Sequence, residues 1–315
     1  MEGGGAGNAV KVATVGVVGR TNAGKSTIVN GLVGEKVSIV SPVEQTTRNT
    51  VRGIVSDARG QLVLLDTPGL HKAVGELGRL LNRMARRSAA GVDILCVVFD
   101  AAEEPQMEDV GWMQRVANEK PDKVVFVLNK SDRRPFYETM FRVAWKEASA
   151  EALAKAGEPV WVKCSATTPG GTSAVLDALF ELAEEGELLF DDDIATDYPR
   201  RLAIADSIRE KYLAKLHQEL PHELGVLVKE IRETQRGGRA VWEIKADLLV
   251  NRASQKPIVI GRGAQTIKYV RKCAEREVGE MFGVKAELEL WVRVEPNWMK
   301  NKRTLAEMGY LGDLV

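Results

Sequence analysis

Thiols and imidazoles are scarce in this chain of 315 residues, which holds three cysteines (Cys96, Cys164 and Cys273) and three histidines. The cysteines lie far apart and form no Cys-x-x-Cys pair. That excludes a disulfide framework and a zinc site of the usual spacing, and it fits a reducing compartment. Long apolar runs are missing too. The longest, residues 94–99, is far too short to span a bilayer. Residues 1–8 are glycine-rich and have neither the basic nor the apolar region of an export signal, so they read as a disordered tail. Net charge is also lacking, since 44 Lys+Arg balance 44 Asp+Glu.

What is present suits a globular chain long enough for two cores: 44% of residues are hydrophobic and 28% charged. The zero net charge conceals an asymmetry. Residues 1–199 hold 22 basic and 28 acidic side chains, a net of −6, whereas residues 200–315 hold 22 and 16, a net of +6. Asp191, Asp192, Asp193, Asp197 and Pro199 mark the junction. A cationic C-terminal half on a neutral chain points to an anionic partner for that half. The alternative is a solvated surface of uneven charge.

The most informative stretch is Gly19-Arg20-Thr21-Asn22-Ala23-Gly24-Lys25-Ser26, followed by Thr27. It reads Gly-x4-Gly-Lys-Ser, a phosphate-binding loop, with an apolar β-branched run before it and a helical pattern after it. Glycines let the backbone curl so that its N–H groups and the positive end of the following helix face an anion. In that geometry Lys25 reaches the β- and γ-phosphates and the Ser26 hydroxyl binds Mg²⁺. Further on, apolar runs at 61–65, 94–99, 124–128 and 160–162 alternate with helical stretches at 79–91, 108–119, 138–156 and 173–183, and 51–56 forms a hairpin with 61–65. This is the pattern of an α/β fold with a doubly wound, mostly parallel sheet, whose ligands sit at the carboxyl ends of the strands.

Three more motifs fall at those ends. Asp66-Thr67-Pro68-Gly69 follows 61–65; Asp66 can hold Mg²⁺ through water, and the Gly69 N–H can meet the γ-phosphate. Asn129-Lys130-Ser131-Asp132 follows 124–128. The Asp132 carboxylate can accept the ring N–H and exocyclic amine of guanine, a donor pair adenine lacks. The Lys130 stem can cover the base, and Asn129 can tie this loop to the phosphate loop. Ser165-Ala166 follows 160–162, and its backbone could meet the guanine carbonyl. Between the phosphate loop and Asp66, Gln45-Thr46-Thr47-Arg48 offers one threonine, Thr46 or Thr47, to complete the Mg²⁺ shell and sense the γ-phosphate. The phosphate loop and the three motifs at strand ends, in this order, imply a GTPase.

These residues, with Asp-Thr-Pro-Gly-Leu-His at 66–71, resemble the Era family of bacterial GTPases. The resemblance continues through Arg209-Glu210-Lys211, Glu219-Leu220-Pro221-His222, Glu289-Leu290-Trp291-Val292 and Met308-Gly309-Tyr310. Era proteins carry Pro where this chain has Thr21 and usually Val at Ala23, positions expected to change loop packing only. The second half shows its own pattern of helix (201–216), strands (226–234 and 240–249), a loop Gly261-Arg262-Gly263-Ala264, helix (265–282) and strand (287–294). A basic Gly-x-x-Gly-like turn entering a helix is the signature of a KH domain, here of type II, whose loop clamps about four nucleotides of single-stranded RNA. Arg236, Arg239, Arg252, Lys256, Arg262, Lys268, Arg271 and Lys272 are the cations expected to contact phosphates. Era-like loops have Gly at the place of Ala264 and Lys at the place of Gly263.

The expected organisation is a tail at 1–8, a GTPase domain at 9–187, an acidic linker at 188–199 and an RNA-binding domain at 200–315. The resemblance implies a cytoplasmic monomer that hydrolyses GTP with Mg²⁺, binds the 3′ end of small-subunit ribosomal RNA and aids maturation of the 30S subunit. An alternative has the C-terminal domain bind a protein or, peripherally, the inner face of the cell membrane. Leu70 stands where Ras-like enzymes place a water-orienting Gln, so charge must be offset otherwise. Arg48, as an arginine finger, and His71, as a base, are the candidates nearby. Era-like GTPases with an asparagine matching Asn22 are thought to hold K⁺ there, which implies stimulation by K⁺.

Overall fold

Near-continuous apolar runs such as 94–99 and 124–128 are what parallel strands require when helices cover both faces of their sheet. The computed structural model describes residues 10–40, 50–68, 91–150, 157–216 and 220–310. The tail at 1–8, Thr46, Thr47, Arg48, Gly69, Leu70, His71 and all but the last residue of the helix expected over 79–91 lie outside the described residues. The chain divides into two compact units, with the change at Asp197 and Tyr198.

In the first unit, β1 (Val10–Val18) leads through the glycine loop into α1 (Lys25–Val33). The expected hairpin follows as β2 (Val51–Asp57) and β3 (Gly60–Asp66). Then come β4 (Ile94–Asp100), α2 (Met107–Glu119), β5 (Val124–Asn129), α3 (Glu138–Ala150), β6 (Val160–Lys163), α4 (Ser173–Leu182) and the short β7 (Glu184–Gly186). The sheet runs β2-β3-β1-β4-β5-β6. All neighbours are parallel except β2 with β3 and β7 with β1. Every residue of β4 and β5 is buried. On one face Val15, Val17, Cys96, Val98, Val125 and Val127 pack with Ile28 and Val29 of α1 and Val175 and Leu179 of α4. On the other, Phe99 and Phe126 pack with Trp112, Met113, Phe141 and Trp145 of α2 and α3. The Phe126 ring meets Phe99 and Trp145 edge-on, each with centroids 5.1 Å apart. Parallel strands that share a level bring their carboxyl ends, and hence the loops that follow them, together along one rim.

The acidic stretch expected as a linker is strapped to this unit. The wholly buried Gln61 amide accepts from the Leu189 and Phe190 N–H groups (2.9 and 3.0 Å) and donates to the Phe190 carbonyl at 2.9 Å. A buried amide left unpaired would be costly, so each of its bonds fixes the passing chain. Next to it, Ile54 N–H donates to the Ala195 carbonyl at 2.8 Å and the Thr196 hydroxyl to the Arg52 carbonyl at 2.5 Å. These bonds occupy backbone groups of β2, the edge strand of the sheet, which would otherwise be open to unwanted pairing.

The second unit begins with α5 (Arg200–Leu213), followed by α6 (Leu220–Glu223), β8 (Gly225–Arg236) and β9 (Arg239–Val250). A short helix α7 (Lys256–Ile260), α8 (Gln265–Phe282), β10 (Lys285–Val294) and α9 (Lys302–Glu307) complete it. The sheet order is β10-β9-β8, with β8 antiparallel and β10 parallel to β9. Trp242, Ile244, Ala246 and Leu248 alternate along β9 to face Val270, Ala274 and Val278, which recur every four residues on α8, and Ile204, Ile208 and Tyr212 of α5. Because α8 runs back along β9, Phe282 near its end packs on Trp242 with ring centroids 5.0 Å apart. The pattern is the expected KH arrangement of a three-stranded sheet covered by helices.

Candidate functional site

Gly19 and Gly24 are the hinges of the phosphate loop, at φ 145° and 98°. A Cβ on Gly19 would lie 2.3 Å from the Val98 carbonyl oxygen, and one on Gly24 would lie 2.2 Å from Asn129 Nδ2. No side chain fits at either place. Ala23 is wholly buried in the core, so it shapes the loop from behind, while Thr21, Ser26 and Thr27 are half-buried and Asn22 is exposed with φ 62°. The loop ends at the start of α1, whose first N–H groups and positive dipole end can receive an anion.

Lys25 is buried, and its Nζ donates to the Arg20 carbonyl at 2.9 Å across the loop. Burial pushes its pKa down to about 8; Asp66 opposes that shift and Arg20 adds to it. Asp66 pairs in register with Val17 of β1, which sets it beside the loop. Its carboxylate is wholly buried, and among the described residues neither oxygen has a well-formed hydrogen bond. Burial raises its pKa, while the nearby hydroxyls of Ser26 and Ser38 and the Lys25 ammonium favour the ionised form. A buried carboxylate with open lone pairs beside a serine hydroxyl is a fitting oxygen donor set for Mg²⁺, a hard cation. Thr67 serves the turn itself, its buried hydroxyl donating to the Val17 carbonyl at 2.9 Å. Pro68 follows at the limit of the described residues.

Asn129 ends β5, and its amide binds both neighbouring loops. Nδ2 donates to the Ala23 carbonyl at 2.8 Å, and Oδ1 accepts the Ala166 N–H at 3.2 Å. Of the Ser165-Ala166 backbone expected to meet a guanine carbonyl, the Ala166 N–H is thus engaged by Asn129. Asp132 is exposed, and the Ser165 hydroxyl donates to its Oδ1 at 2.6 Å, which holds the carboxyl below its usual range. Ser165 therefore orients the carboxylate expected to read the base, a contact invisible in the sequence. Lys130, at φ 64°, bonds through Nζ to Asp100 Oδ2 at the end of β4. Arg20 faces the same quarter, with Glu103 at 2.7 Å, Asp109 at 3.2 Å and Asp100 at 3.6 Å. Asp109 is buried at the start of α2; burial raises its pKa to about 6 against the Gln106 N–H and Arg20. The signal for Asp100 was present in the sequence as an acid closing an apolar strand.

In the second unit, the loop Gly261-Arg262-Gly263-Ala264 lies between α7 and α8. Gly261, Gly263 and Ala264 all take positive φ (76°, 57° and 59°), so the alanine adopts a conformation that suits glycine. Arg252, Lys256, Arg262, Lys268 and Lys272 are exposed on or near this turn, and none has a carboxylate within 4.0 Å among the described residues. Arg271 is 3.9 Å from Glu275. Arg236 and Arg239 depart from expectation. They sit at the β8–β9 turn, and β9 separates that turn from Val250 by eleven residue steps, roughly 36 Å at ~3.3 Å per residue. Arg236 is bound to Glu243 and to Glu287, the latter at 2.9 Å. The sequence shows both arginines beside a glycine turn, but only the strand length reveals that this turn lies at the end of the sheet away from Val250.

Two family profiles match the chain: one described as a 50S ribosome-binding GTPase over residues 14–130, and a KH domain over residues 219–299. A GTPase Era of Rippkaea orientalis is 35% identical over 297 residues, covering 94% of this chain and 91% of that relative. A GTPase Era of a Geobacter species is 35% identical over 303 residues, covering 94% and 96%. The structure is similar to an Era variant of Aquifex aeolicus bound to GDP·AlF4⁻, with TM-score 0.86, 31% identity and coverage of 96% of this chain and 99% of that one. An Era structure in complex with MgGDPNP and nucleotides 1506–1542 of 16S ribosomal RNA matches with TM-score 0.86, 31% identity and the same coverage of 96% and 99%. With the nucleotide motifs in order at one rim and a KH unit following in sequence, an identity sustained over 94% of its length makes the chain a member of the Era family of GTPases.

Proposed function

We propose that this chain hydrolyses GTP to GDP and phosphate and, through its KH domain, binds the 3′ end of small-subunit ribosomal RNA to assist 30S maturation, with the nucleotide state controlling RNA engagement. The observation that carries the GTP half is the Asn129 amide, which joins the loop that reads the base to the loop that receives the phosphates. Lys25 and the α1 N-terminus hold the β- and γ-phosphates, and Asp132 accepts from guanine. Ser26 and Asp66, with Thr46 or Thr47, are the residues that would hold Mg²⁺; the ion would neutralise charge between the phosphates. The RNA half rests on five exposed cations around a KH loop with no carboxylate partner among the described residues, and on the Era complex with 16S nucleotides 1506–1542. Site of action on this reading is the cytoplasm. Among the described residues no helix is long and apolar enough to cross a membrane.

Leu70 in place of a water-orienting Gln leaves transition-state charge as the main difficulty. The exposed amide of Asn22 at the crown of the phosphate loop supports a monovalent cation there. The test is GTP turnover in KCl and in NaCl, with and without an oligonucleotide of the 16S 3′ end. The expected result is slow hydrolysis in Na⁺, clear stimulation by K⁺ that Asn22→Ala abolishes, and a response to the RNA. Equal rates in the two salts would shift the role to Arg48 or to a group from the ribosome.

A further inference from the structure

Asp100 closes β4 and pairs in register with Asn129, the last residue of β5, so the two side chains stand at one level of the sheet rim. The strand ends are tied there, with Ala101 N–H donating to the Asn129 carbonyl at 3.2 Å. Asp100 is 2% exposed, and its Oδ1 accepts the Ala102 N–H at 3.2 Å. Oδ2 takes the Lys130 ammonium and lies 3.6 Å from Arg20 Nη2. One buried carboxylate thus holds a cation from the base-reading loop and another from the phosphate loop, while Glu103 and Asp109 take the rest of the Arg20 guanidinium.

We infer that Asp100 is a positioning residue for guanine nucleotide: it fixes the Lys130 side chain before the base arrives. A lysine stem is flexible, and ordering it on binding costs affinity. With its backbone set in a left-handed conformation and its ammonium held by Asp100, the stem is fixed at both ends. The base then meets a surface already formed. A purely structural Asp100 would balance charge in the cluster and leave nucleotide release unchanged once the protein is folded.

The inference rests on the guanine-nucleotide reading. The test is stopped-flow release of fluorescent (mant) GDP from the full chain and from Asp100→Asn, Lys130→Met and the double variant. Asp100→Asn should speed release about tenfold, as expected for one rotamer-rich side chain left unordered. The double variant should release no faster than Lys130→Met, because Asp100 acts through that lysine. If Asp100→Asn fails to fold, Asp100→Ser keeps an oxygen for the Ala102 N–H and carries the same expectation. Release within about twofold of the parent, or losses that multiply in the double variant, would overturn the inference. A parent that binds no mant-GDP would overturn the guanine-nucleotide reading itself, and this inference with it.

Discussion

The side-chain amide of Asn129 donates to the carbonyl of Ala23 at 2.8 Å, a buried bond between residues 106 positions apart. The other end of the same amide accepts the Ala166 N–H. One residue therefore sets the spacing of three loops. Asn129→Ala leaves the Ala23 carbonyl and the Ala166 N–H without their partner, at about 1–3 kcal/mol for each group that stays dry. The expected result is a lower melting temperature and GDP affinity reduced by roughly ten- to a hundredfold, the equivalent of ~1.4–2.8 kcal/mol. Calorimetric titration reads the affinity, and an unchanged Kd would show that the loops keep their spacing without this bond.

Lys25 is expected to make nucleotide binding dependent on pH. Its pKa, lowered by burial to about 8, is below the ordinary lysine value, and Asp66, Asp109 and Arg20 are the charged groups that act on it. Between pH 8 and the unfolded lysine value the unfolded chain binds more protons, so this group's contribution makes the free protein more stable as pH rises through that window. Phosphates restore the charged form, so GDP binding at pH 8.5 takes up a proton. Titrations in two buffers of different ionisation enthalpy should show that uptake, and affinity should fall by up to about tenfold per pH unit above 8. Lys25→Ala should lose both effects. No buffer dependence in the parent would contradict the assignment.

Ala264 stores strain at φ 59°. The left-handed region costs an L-residue about 1–2 kcal/mol, and glycine gives back part of that gain through a looser unfolded chain. Ala264→Gly is therefore expected to stabilise the chain by about 0.5–1 kcal/mol in urea unfolding, and to bind RNA as tightly as the parent or more tightly. A loss of stability would mean that the methyl group packs in a way that outweighs the backbone cost.

The two ends of β9 separate two groups of basic residues, of which those near the Gly261–Ala264 turn are expected to bind RNA. Arg262→Glu with Lys268→Glu should weaken RNA binding for all sequences and reduce the salt slope by about 1.4, the release of two counterions from a single strand. Arg236→Glu, at the far end and in ion pairs with Glu243 and Glu287, should change neither. Equal effects of the two changes, measured by anisotropy over a salt series, would move the RNA to the hairpin end.

The nucleotide loops were legible in the sequence because their chemistry demands particular residues at strand ends, and Asn129 reached Ala23 as its motif implied. Strand bounds came within two residues, since apolar runs in β4 and β5 stop where burial stops. What stayed hidden depends on distant pairing. Gln61 reads as one more strand residue, yet it holds the 188–199 stretch through bonds spanning 128 and 129 positions. Ser165 and Asp132 are 33 positions apart and meet only because β5 and β6 are neighbours. Lys256–Ile260 gave no periodic pattern, because Pro257 is at home in a first helical turn and the β-branched residues after it favour strands.

The central claim is that this chain binds the 3′ end of small-subunit ribosomal RNA under control of its nucleotide. Its most direct test is an anisotropy titration of a labelled 16S 3′-end oligonucleotide at one fixed salt concentration, with the full chain loaded with a GTP analogue or with GDP. The account predicts tighter binding in the GTP-analogue state and loss of that binding in Arg262→Glu/Lys268→Glu. The same affinity in both nucleotide states, or binding no tighter than to an unrelated RNA of equal length, would contradict it.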